Sequence, residues 1–573
     1  MSEALSSDAT METAAAATPS VDGQAPWYEL PDPRRWAALA SVFTGLFMVL
    51  LDVSIVAVAI PAIRTNLGAN DADIQFVVAG YSLAYGVMLI TGGRLGDIFG
   101  RKRLFMGGMA GFVVASALCG AAQSAVMLDV SRVLQGLMAA LMYPQVLSII
   151  QVTFPPRERG RVFGLLGAVI GLATVAGPLV GGLIIRNDLT GGSWRWIFLV
   201  NLPIGIVSLI VASRVVRDSR APNATRLDMV GMAIATTALV LLVYPLVEGQ
   251  VAGWPAWTFI CMGLSPVVLA LFVLYERSLP AARFPLVQLS MFNIRSFSAG
   301  LVIALVLMAG IPSFFFTFSL VLQVGLGWSA LHTGLTTIPW SVAAAFASIM
   351  STRLAPRLGR WIITLGSGLL VAAMLGVILT LHLRGTSLTS WDLVPTFIVA
   401  GLGMGTVVAP LLNILLAGVP PRHAGSAAGV LTTFQQLGAA IGIAVVGVVF
   451  FGLLTSRAPS AISLVTPQLS AQLTRADVPA PAVSSAVGTF AHCFETEAAS
   501  SNPQQPPPGC RASAGPAAAA FSTAGQSATA LDFISSAERA LFFMVGFWTL
   551  TGLLSLLLPR VHLGGGHGAP GGH

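Results

Sequence analysis

Long apolar runs separated by short polar segments make up most of the chain. Fourteen of these runs have about 20 residues, and a helix of that length crosses a hydrocarbon core of roughly 30 Å. They lie at 37–61, 74–93, 104–122, 126–152, 162–185, 196–213, 229–247, 257–275, 297–318, 333–352, 361–381, 392–416, 425–454 and 537–559. The pattern predicts an all-α integral membrane protein with fourteen transmembrane helices.

Two short basic segments indicate an internal duplication. The first, GGRLGDIFGRKR at 92–103, follows the second span, and RLAPRLGR at 353–360 repeats its outline. Arg94 and Arg353 are 259 residues apart, which is 82 more than the 177 residues of the first six spans at 37–213. The seventh and eighth spans with their loops account for this excess. The last six spans therefore repeat the first six, with two helices inserted between them.

The predicted domain organisation follows from this duplication. The segments are a disordered cytoplasmic tail at 1–35, an N-terminal six-helix bundle at 36–213, two inserted transmembrane helices with loops at 214–296, a C-terminal six-helix bundle at 297–559 that includes an extracytoplasmic loop at 456–536, and a cytoplasmic His/Gly tail at 560–573. The first 35 residues lack the apolar run of a signal peptide. Parallel six-span repeats with a substrate between them near the membrane midplane are a transporter architecture that works by alternating access.

Composition and charge support this interpretation. Charged residues make up 9% of the chain and hydrophobic residues 55%, whereas soluble proteins contain about 25% charged residues. Of the 30 basic residues, 21 fall on the side of the membrane that holds both termini, eight fall on the other side, and Arg132 lies within a span. Because short basic loops stay in the cytoplasm, both termini are expected there. Topology and anionic membrane lipid explain the net charge of +7, so no nucleic-acid partner is expected.

Two compositional details bear on compartment and cross-linking. Lys occurs once against 29 Arg, which indicates a GC-rich bacterial genome and hence a bacterial plasma membrane. Cys493 and Cys510 share the segment at 456–536. If that segment is extracytoplasmic they could form a disulfide, but two cysteines form no framework pattern, so a bridge and two free thiols both stay open.

Ionisable residues inside apolar spans are costly, and they commonly face a cavity or a partner. Asp52 lies nine residues before the outer end of its span at Pro61, and Arg132 lies six residues inside the outer start of its own span. These offsets correspond to depths of about 13 Å and 9 Å. One hypothesis is that Asp52 takes up a proton from outside under the influence of Arg132; the alternative is a permanent ion pair that joins the first and fourth helices. Asp129, one helical turn before Arg132, is a second candidate partner.

Two further groups of residues have expected mechanical roles. In the loop after the second span, Asp97 could bind a basic neighbour or a helix N-terminus and latch the two bundles together on the inner side. The alternative is a solvated topology anchor. The loop residues concerned are Gly93, Arg94, Asp97, Gly100, Arg101 and Lys102.

In the fifth span, small residues permit close helix packing and a bend that could limit leakage, although simple packing is an equal alternative. They are Gly167, Gly171, Gly177, Pro178, Gly181 and Gly182.

The second bundle supplies the candidates for binding cargo. They are Phe314, Trp340, Phe434, Gln435 and Gln436, each of which could instead face lipid or the helix core. The scarcity of charge there favours neutral or amphipathic organic molecules. The sequence contains no phosphate-binding Gly-Lys-Ser/Thr loop, metal-ligand cluster or nucleophile with a nearby base. We therefore expect no enzymatic activity, no metal and no cofactor. With Asp52 as the candidate proton carrier, the expected energy source is the proton gradient. The expected partners are a small hydrophobic molecule, protons and membrane lipid.

Several of these motifs resemble the major facilitator superfamily, and within it the fourteen-span branch of drug:proton antiporters. They are the loop at 93–102, LDVSIV at 51–56, RVLQG at 132–136, GPLVGG at 177–182, WRWIF at 194–198 and FQQLG at 434–438. The resemblance implies the major facilitator fold and proton-coupled efflux of hydrophobic or amphipathic drugs or secondary metabolites. The alternatives are an exporter or flippase of lipid-like molecules and a non-transporting sensor on the same fold.

The chain also departs from the pattern of this branch. Ile98 replaces a usual basic residue, Ala57 stands where the first-span motif usually has Asn, and Pro356 stands at the counterpart of Asp97 in the second bundle. The span at 333–352 contains no acidic residue. Because members that export divalent cationic drugs are associated with an acid there, the departure weakens a specific prediction of such cargo.

Overall fold

The computed structural model describes residues 33–69, 71–187, 193–220, 228–249, 252–279, 285–420, 423–476, 478–499 and 517–559. Within these ranges the regular structure is helical, with no strand. Most of the predicted tail at 1–35 and all of the tail at 560–573 lie outside the described residues.

The first six spans correspond to seven helices, because the sixth span is divided by a short turn. Their bounds are α1 Arg35–Leu67, α2 Asp71–Phe99, α3 Arg101–Gly120, α4 Ala125–Thr153, α5 Pro156–Asn187, α6 Trp196–Leu199 and α7 Asn201–Val215. Helix α4 begins after Ser124, whose side chain accepts a hydrogen bond from the Met127 amide. This is the N-cap interaction that short polar side chains provide.

The remaining helices comprise the inserted pair and the second bundle. Their bounds are α8 Met229–Glu248, α9 Ala256–Ser278, α10 Arg295–Leu320, α11 Ala330–Thr336, α12 Ile338–Leu358, α13 Trp361–Arg384, α14 Ser390–Ala417, α15 Ala424–Arg475, α16 Ala480–Ala499 and α17 Ala517–Ser555. The predicted tenth span begins in α11 and continues in α12, whose first turn contains Pro339, a residue that suits a helix start.

The count of spans confirms the predicted fold class. Thirteen segments of the described chain are long and apolar enough to cross a membrane, with α6 and α7 counted together. Helix α5, which has 32 residues, is about 48 Å long and completes the fourteen.

The helices form two bundles with the inserted pair at the side. In the first bundle α4 packs on α2 and α3, and α1 packs on α5 and α7. In the second, α14 packs on α12 and α13, and α15 packs on α10 and α17. The bundles meet where α2 packs on α15 and α5 packs on α12, while α8 and α9 pack on each other and α8 contacts α2 and α15.

The segment predicted as an extracytoplasmic loop at 456–536 is largely helical. Helix α15 has 52 residues and a length of about 78 Å, far more than a membrane requires. Its last part packs with α16 and the start of α17 around Leu469, Leu473 and Phe490. We call this three-helix unit, formed by the described residues of the segment 456–536, the helical extension. Its many alanines are strong helix formers, and polar composition alone did not reveal the helices.

Candidate functional site

The candidate proton site is a buried ion pair between α1 and α4. Asp52 is completely buried and Arg132 is 2% exposed. An Arg132 Nη donates to Asp52 Oδ2 at 2.5 Å, and the Arg132 Nε donates to the Val77 carbonyl oxygen at 3.1 Å. The structure therefore brings together the two residues that their depth in the membrane predicted to meet. Their roles in proton coupling stay a prediction.

Two uncharged side chains complete the environment of the carboxylate. Gln135 and Asn201 donate through their amide nitrogens to Asp52 Oδ1 at 2.9 and 3.2 Å. Both amides also donate to the Ser116 hydroxyl, which in turn donates to the Phe198 carbonyl oxygen at 2.9 Å. These three polar residues were not among the predicted site residues, although Gln135 lies one helical turn after Arg132 within the RVLQG motif.

Aromatic rings enclose the guanidinium. The Arg132 Cζ lies 4.3 Å from the centre of the Tyr81 ring and 5.8 Å from that of Phe198. A cation over a ring face at such distances is attracted by the ring quadrupole. Tyr81 therefore contacts the ion pair directly.

The second candidate partner of Arg132, Asp129, does not join this network. Among the described residues Arg132 forms its ion pair with Asp52, and Asp129 Oδ1 is buried without a hydrogen-bond partner. The neighbouring charge that acts on Asp129 is that of Asp73. The prediction of an Asp129–Arg132 pair is wrong because the guanidinium points to α1 rather than back along α4.

Asp97, near the C-terminal end of α2, binds the second bundle. Because α2 ends at Phe99 and α3 begins at Arg101, the predicted loop is reduced to Gly100. The fully buried Asp97 carboxylate accepts hydrogen bonds from the backbone N–H groups of Gly425 and Ser426 at 3.1 and 3.0 Å, and from Arg101 at 2.9 Å. The two backbone donors belong to the first turn of α15, where unpaired N–H groups favour an anion. We call this arrangement, formed by Asp97, Arg101, Gly425 and Ser426, the latch.

Other residues near the junction of α2 and α3 bring the helices close and fix the turn. A side chain at Gly93 would collide with the Gly425 carbonyl group of α15. Gly100 has φ +103°, a conformation that favours glycine, and Lys102 donates to the Ser213 carbonyl oxygen at 2.7 Å. Arg94 is 3% exposed. The basic residues at the junction of α2 and α3 are thus partly bonded to or buried in the protein, whereas a topology anchor would be fully solvated.

A second contact between the bundles lies at the same end of the molecule. The Gln151 amide of α4 donates to the carbonyl oxygens of Leu416 and Val419, both at 3.0 Å. These carbonyls are at the C-terminal end of α14, where helices leave acceptors unpaired. Gln151 was not among the predicted site residues.

The glycines of α5 serve two different interfaces. In the first half of the helix, Gly167 and Gly171 face Ser348 and Ser341 of α12 in the second bundle. Further along, a side chain at Gly177 would collide with Ser54 of α1, and one at Gly181 would approach Ile55. Gly182 has more room, since an added Cβ would lie 3.6 Å from Leu331. Pro178 belongs to the same helix, but its side chain is outside the described part of the structure.

A cavity of about 420 Å³ lies between the bundles. Aromatic residues from both bundles line it, and its polar groups are hydroxyls and amides rather than charges, as far as the described lining residues show. The lining includes Val53, Ser54, Tyr81, Tyr85, Tyr143, Phe315, Trp340, Met404, Gln435 and Gln436. Tyr81 contacts both this cavity and Arg132.

The structure divides the predicted cavity residues into two groups. Trp340, Gln435 and Gln436 line the cavity. Phe314 is completely buried behind it, stacked on Trp340 at a ring-centre distance of 5.2 Å, and Phe434 is not among the lining residues. The sequence did not distinguish lining from non-lining residues, because neighbouring residues on a helix face different directions and the rotation of each helix was unknown.

Cys493 in α16 is disulfide-bonded. Cys510 lies outside the described residues, so its pairing with Cys493 stays a prediction.

Comparison with known proteins identifies the family. The model of the Major Facilitator Superfamily matches residues 42–443, which include the buried ion pair, the latch and most of both bundles. The chain belongs to the Major Facilitator Superfamily. It is accordingly a multi-pass membrane transporter and not an enzyme.

Similar members of the superfamily occur in Streptomyces. The chain is 39% identical over 534 residues to a probable actinorhodin transporter of Streptomyces coelicolor, covering 92% of each chain. It is 34% identical to the tetracenomycin C resistance and export protein of Streptomyces glaucescens, covering 72% of this chain and 76% of the relative. It is 33% identical to the puromycin resistance protein pur8 of Streptomyces alboniger, covering 74% of this chain and 83% of the relative.

Solved structures of the superfamily share the fold. The human organic anion transporter MFSD10 aligns with a TM-score of 0.51 at 18% identity, over 73% of this chain and 94% of that one. The proton:xylose symporter XylE aligns with a TM-score of 0.52 at 14% identity, over 71% of this chain and 87% of that one. These similarities concern the fold alone.

Proposed function

We propose that this superfamily member exports neutral or amphipathic secondary metabolites, antibiotics among them, from a bacterial cell in exchange for protons. One observation carries the proposal: Tyr81 lines the cavity and also lies over the guanidinium that pairs with Asp52. Val53 and Ser54, the residues next to Asp52 on α1, line the same cavity. A change in the protonation of Asp52 would therefore act directly on the cavity wall.

The proposed coupling begins with a proton that binds Asp52. A neutral carboxyl attracts Arg132 less strongly than a carboxylate does, so the hydrogen bonds that join α1, α4 and α7 weaken. Arg132 and Tyr81 then rearrange, which changes the cavity and favours one of the two access states. Release of the proton on the other side restores the ion pair.

The latch provides the second half of the proposed cycle. Asp97 of the first bundle holds the start of α15 in the second bundle, and this contact must break for that end of the cavity to open. We assign this end to the cytoplasm, with both termini on the same side, because the basic residues concentrate there. The plasma membrane is the proposed location, in agreement with the bacterial origin of the relatives.

The lining of the cavity supports the proposed class of cargo. It offers aromatic faces, tyrosine hydroxyls and glutamine amides without a charged group among the described lining residues. Such a surface suits uncharged aromatic compounds with hydroxyl or carbonyl groups. The relatives named for actinorhodin and tetracenomycin C support secondary metabolites as cargo, and the absence of an acid in α12 argues against a preference for divalent cations.

The decisive experiment is transport by the purified protein in liposomes under an imposed pH gradient, with tetracenomycin C as the probe. We expect gradient-dependent movement by the wild type and loss of it in Asp52→Asn. Asp129→Asn is the matched control, since it removes a carboxylate of α4 that does not pair with Arg132, and it should retain transport.

Three outcomes would contradict parts of the proposal. Equal transport by Asp52→Asn and the wild type would exclude coupling through Asp52. Wild-type transport that ignores the gradient would exclude proton antiport. Movement of labelled phospholipid without movement of tetracenomycin C would favour the lipid-exporting alternative.

A further inference from the structure

Glu276, near the end of the inserted helix α9, is a buried carboxyl group that the proposed transport cycle does not use. Its side chain is 5% exposed. Its Oε1 accepts a hydrogen bond from the Leu286 amide at 3.0 Å. A buried carboxylate is unfavourable unless it is bonded or paired. Glu276 therefore fixes the segment at 285–288, which leads from the inserted pair toward α10.

The fixed segment contacts the latch on its other side. The Leu286 carbonyl oxygen accepts a hydrogen bond from the Ser426 hydroxyl at 3.4 Å, and the Leu286 side chain is fully buried. The backbone N–H of the same Ser426 donates to Asp97 at 3.0 Å. A continuous series of contacts thus joins Glu276, Leu286, Ser426 and Asp97.

The first bundle also interacts with Glu276, through Arg94 of α2. Arg94 is buried on α2, about one helical turn before Asp97, and it attracts the Glu276 carboxylate electrostatically. Asp228, the residue before α8, accepts hydrogen bonds from the Gly231 amide and the Tyr275 hydroxyl, both within the pair, and its negative charge repels that of Glu276. Glu276 is thus the acid of the inserted helices that faces the latch.

We propose that Glu276 is a positioning residue through which the inserted helices hold the segment at 285–288 against the latch. Through this contact the inserted pair stabilises the closed state of the end where Asp97 meets α15. The inference rests on the proposed function only in treating the latch as a gate; the contacts themselves do not depend on any cargo.

The test is hydrogen exchange of the full-length protein in lipid nanodiscs, followed by mass spectrometry at the amides of Gly425 and Ser426. These amides are protected by Asp97, so their exchange reports opening of the latch. We expect Glu276→Ala to accelerate their exchange roughly tenfold. Glu276→Gln retains an acceptor oxygen for Leu286 and should stay close to the wild type. Glu248→Ala, the same substitution at the opposite end of the inserted pair, should change nothing at these amides.

A double variant tests whether Glu276 acts through the latch. In Asp97→Ala the amides of Gly425 and Ser426 should already exchange quickly, and adding Glu276→Ala should cause little further acceleration. Wild-type exchange in Glu276→Ala would overturn the proposal. So would equal acceleration throughout α3 and α13, because that result indicates general loosening. The measurement needs neither cargo nor a pH gradient, so it can fail or succeed independently of the transport experiment.

Discussion

At the scale of single residues, the environment of Asp52 determines what the ion pair can do. The carboxylate has donors from Arg132, Gln135 and Asn201, which lie on α4 and α7. Hydrogen bonds to both of its oxygens offset the large cost of burying the charge. The same three donors also tie α1, α4 and α7 together. A single protonation event can therefore loosen three helices at once.

Replacing Arg132 with lysine tests the geometry of this network separately from its charge. Arg132 donates from two nitrogens to Val77, Asp52 and Gln135, whereas a lysine ammonium group is a single compact donor. We expect Arg132→Lys to reduce the free energy of unfolding by about 2 kcal/mol and to lower gradient-driven transport.

Thermal unfolding in detergent and the liposome assay measure the two effects. Arg103→Lys is a suitable control, because Arg103 has an exposed side chain and pairs with Asp218 at the surface, where such a change has little effect. A wild-type unfolding temperature for Arg132→Lys would show that the forked geometry does not matter.

The sequence predicted the charged members of the site but not the uncharged ones. Asp52 and Arg132 are conspicuous because charge inside an apolar span is costly, and helix rise sets their depth. Gln135, Asn201 and Ser116 carry no such signal, since polar uncharged residues in spans commonly bond to their own helix. Their role depends on how α3, α4 and α7 are rotated about their axes, which the apolar pattern of a fully buried helix does not fix.

At the scale of elements, α5 shows how glycine position selects a neighbour. Its early glycines approach α12 of the other bundle, whereas Gly177 and Gly181 approach α1, which carries Asp52. Small residues allow helix backbones to come close where lipid offers no hydrophobic driving force. Helix α5 thus joins the interface between bundles to the helix of the proton site.

The two ends of this glycine series predict different responses to the same substitution. In Gly177→Ala the added methyl group would collide with the Ser54 hydroxyl, and we expect a loss of about 2 kcal/mol in stability from overpacking, with impaired transport. In Gly182→Ala the methyl group meets Leu331 at 3.6 Å, which is an ordinary contact. Thermal unfolding of both variants checks the difference, and equal stability would contradict the packing that we describe.

The helices that cross the membrane were predicted from the sequence, whereas the helices of the helical extension were not. A span must be apolar over about 20 residues, so all fourteen spans were visible in the sequence. The helical extension was not, because its Ala, Ser and Pro composition is also typical of irregular chain. Its helices are stabilised by packing around Leu469 and Phe490, a tertiary effect that local composition does not report.

At the scale of the whole molecule, the duplicated bundles have an unequal pair of contacts. Helix α2 meets α15, and α5 makes the counterpart contact with α12, but among the described residues only the first contact includes a carboxylate at a helix start. In the second bundle Pro356 replaces Asp97, and Arg360 donates instead to the carbonyl oxygens of Leu556 and Leu558 at the end of α17. The segment at 353–360, which repeats the outline of the segment around Asp97, thus makes this contact within the second bundle. Asp97 and Gly425 are 328 residues apart. Because of this separation, the sequence predicted a role for Asp97 but did not identify Gly425 and Ser426 as its partners.

This difference in contacts predicts that the segment containing Asp97 and the segment containing Arg360 differ in function. Arg360→Ala removes a cap from α17, so we expect a stability loss of about 1 kcal/mol with transport largely retained. Asp97→Asn weakens the contact between bundles, so we expect transport to fall more than stability does. The liposome assay and thermal unfolding of both variants decide this, and strong loss of transport in Arg360→Ala would contradict it.

The length of α15 has a mechanical consequence. One end of this helix is held by Asp97 between the bundles, and the other end lies about 78 Å away in the helical extension. The part of the helix before its first interior proline, Pro459, is about 52 Å long and acts as a lever: a tilt of about 10° at the held end would displace Pro459 by about 9 Å. Opening and closing of the gate would therefore be magnified beyond the membrane. The position of a fluorescent label near Arg475 would then report the transport state from outside the bilayer.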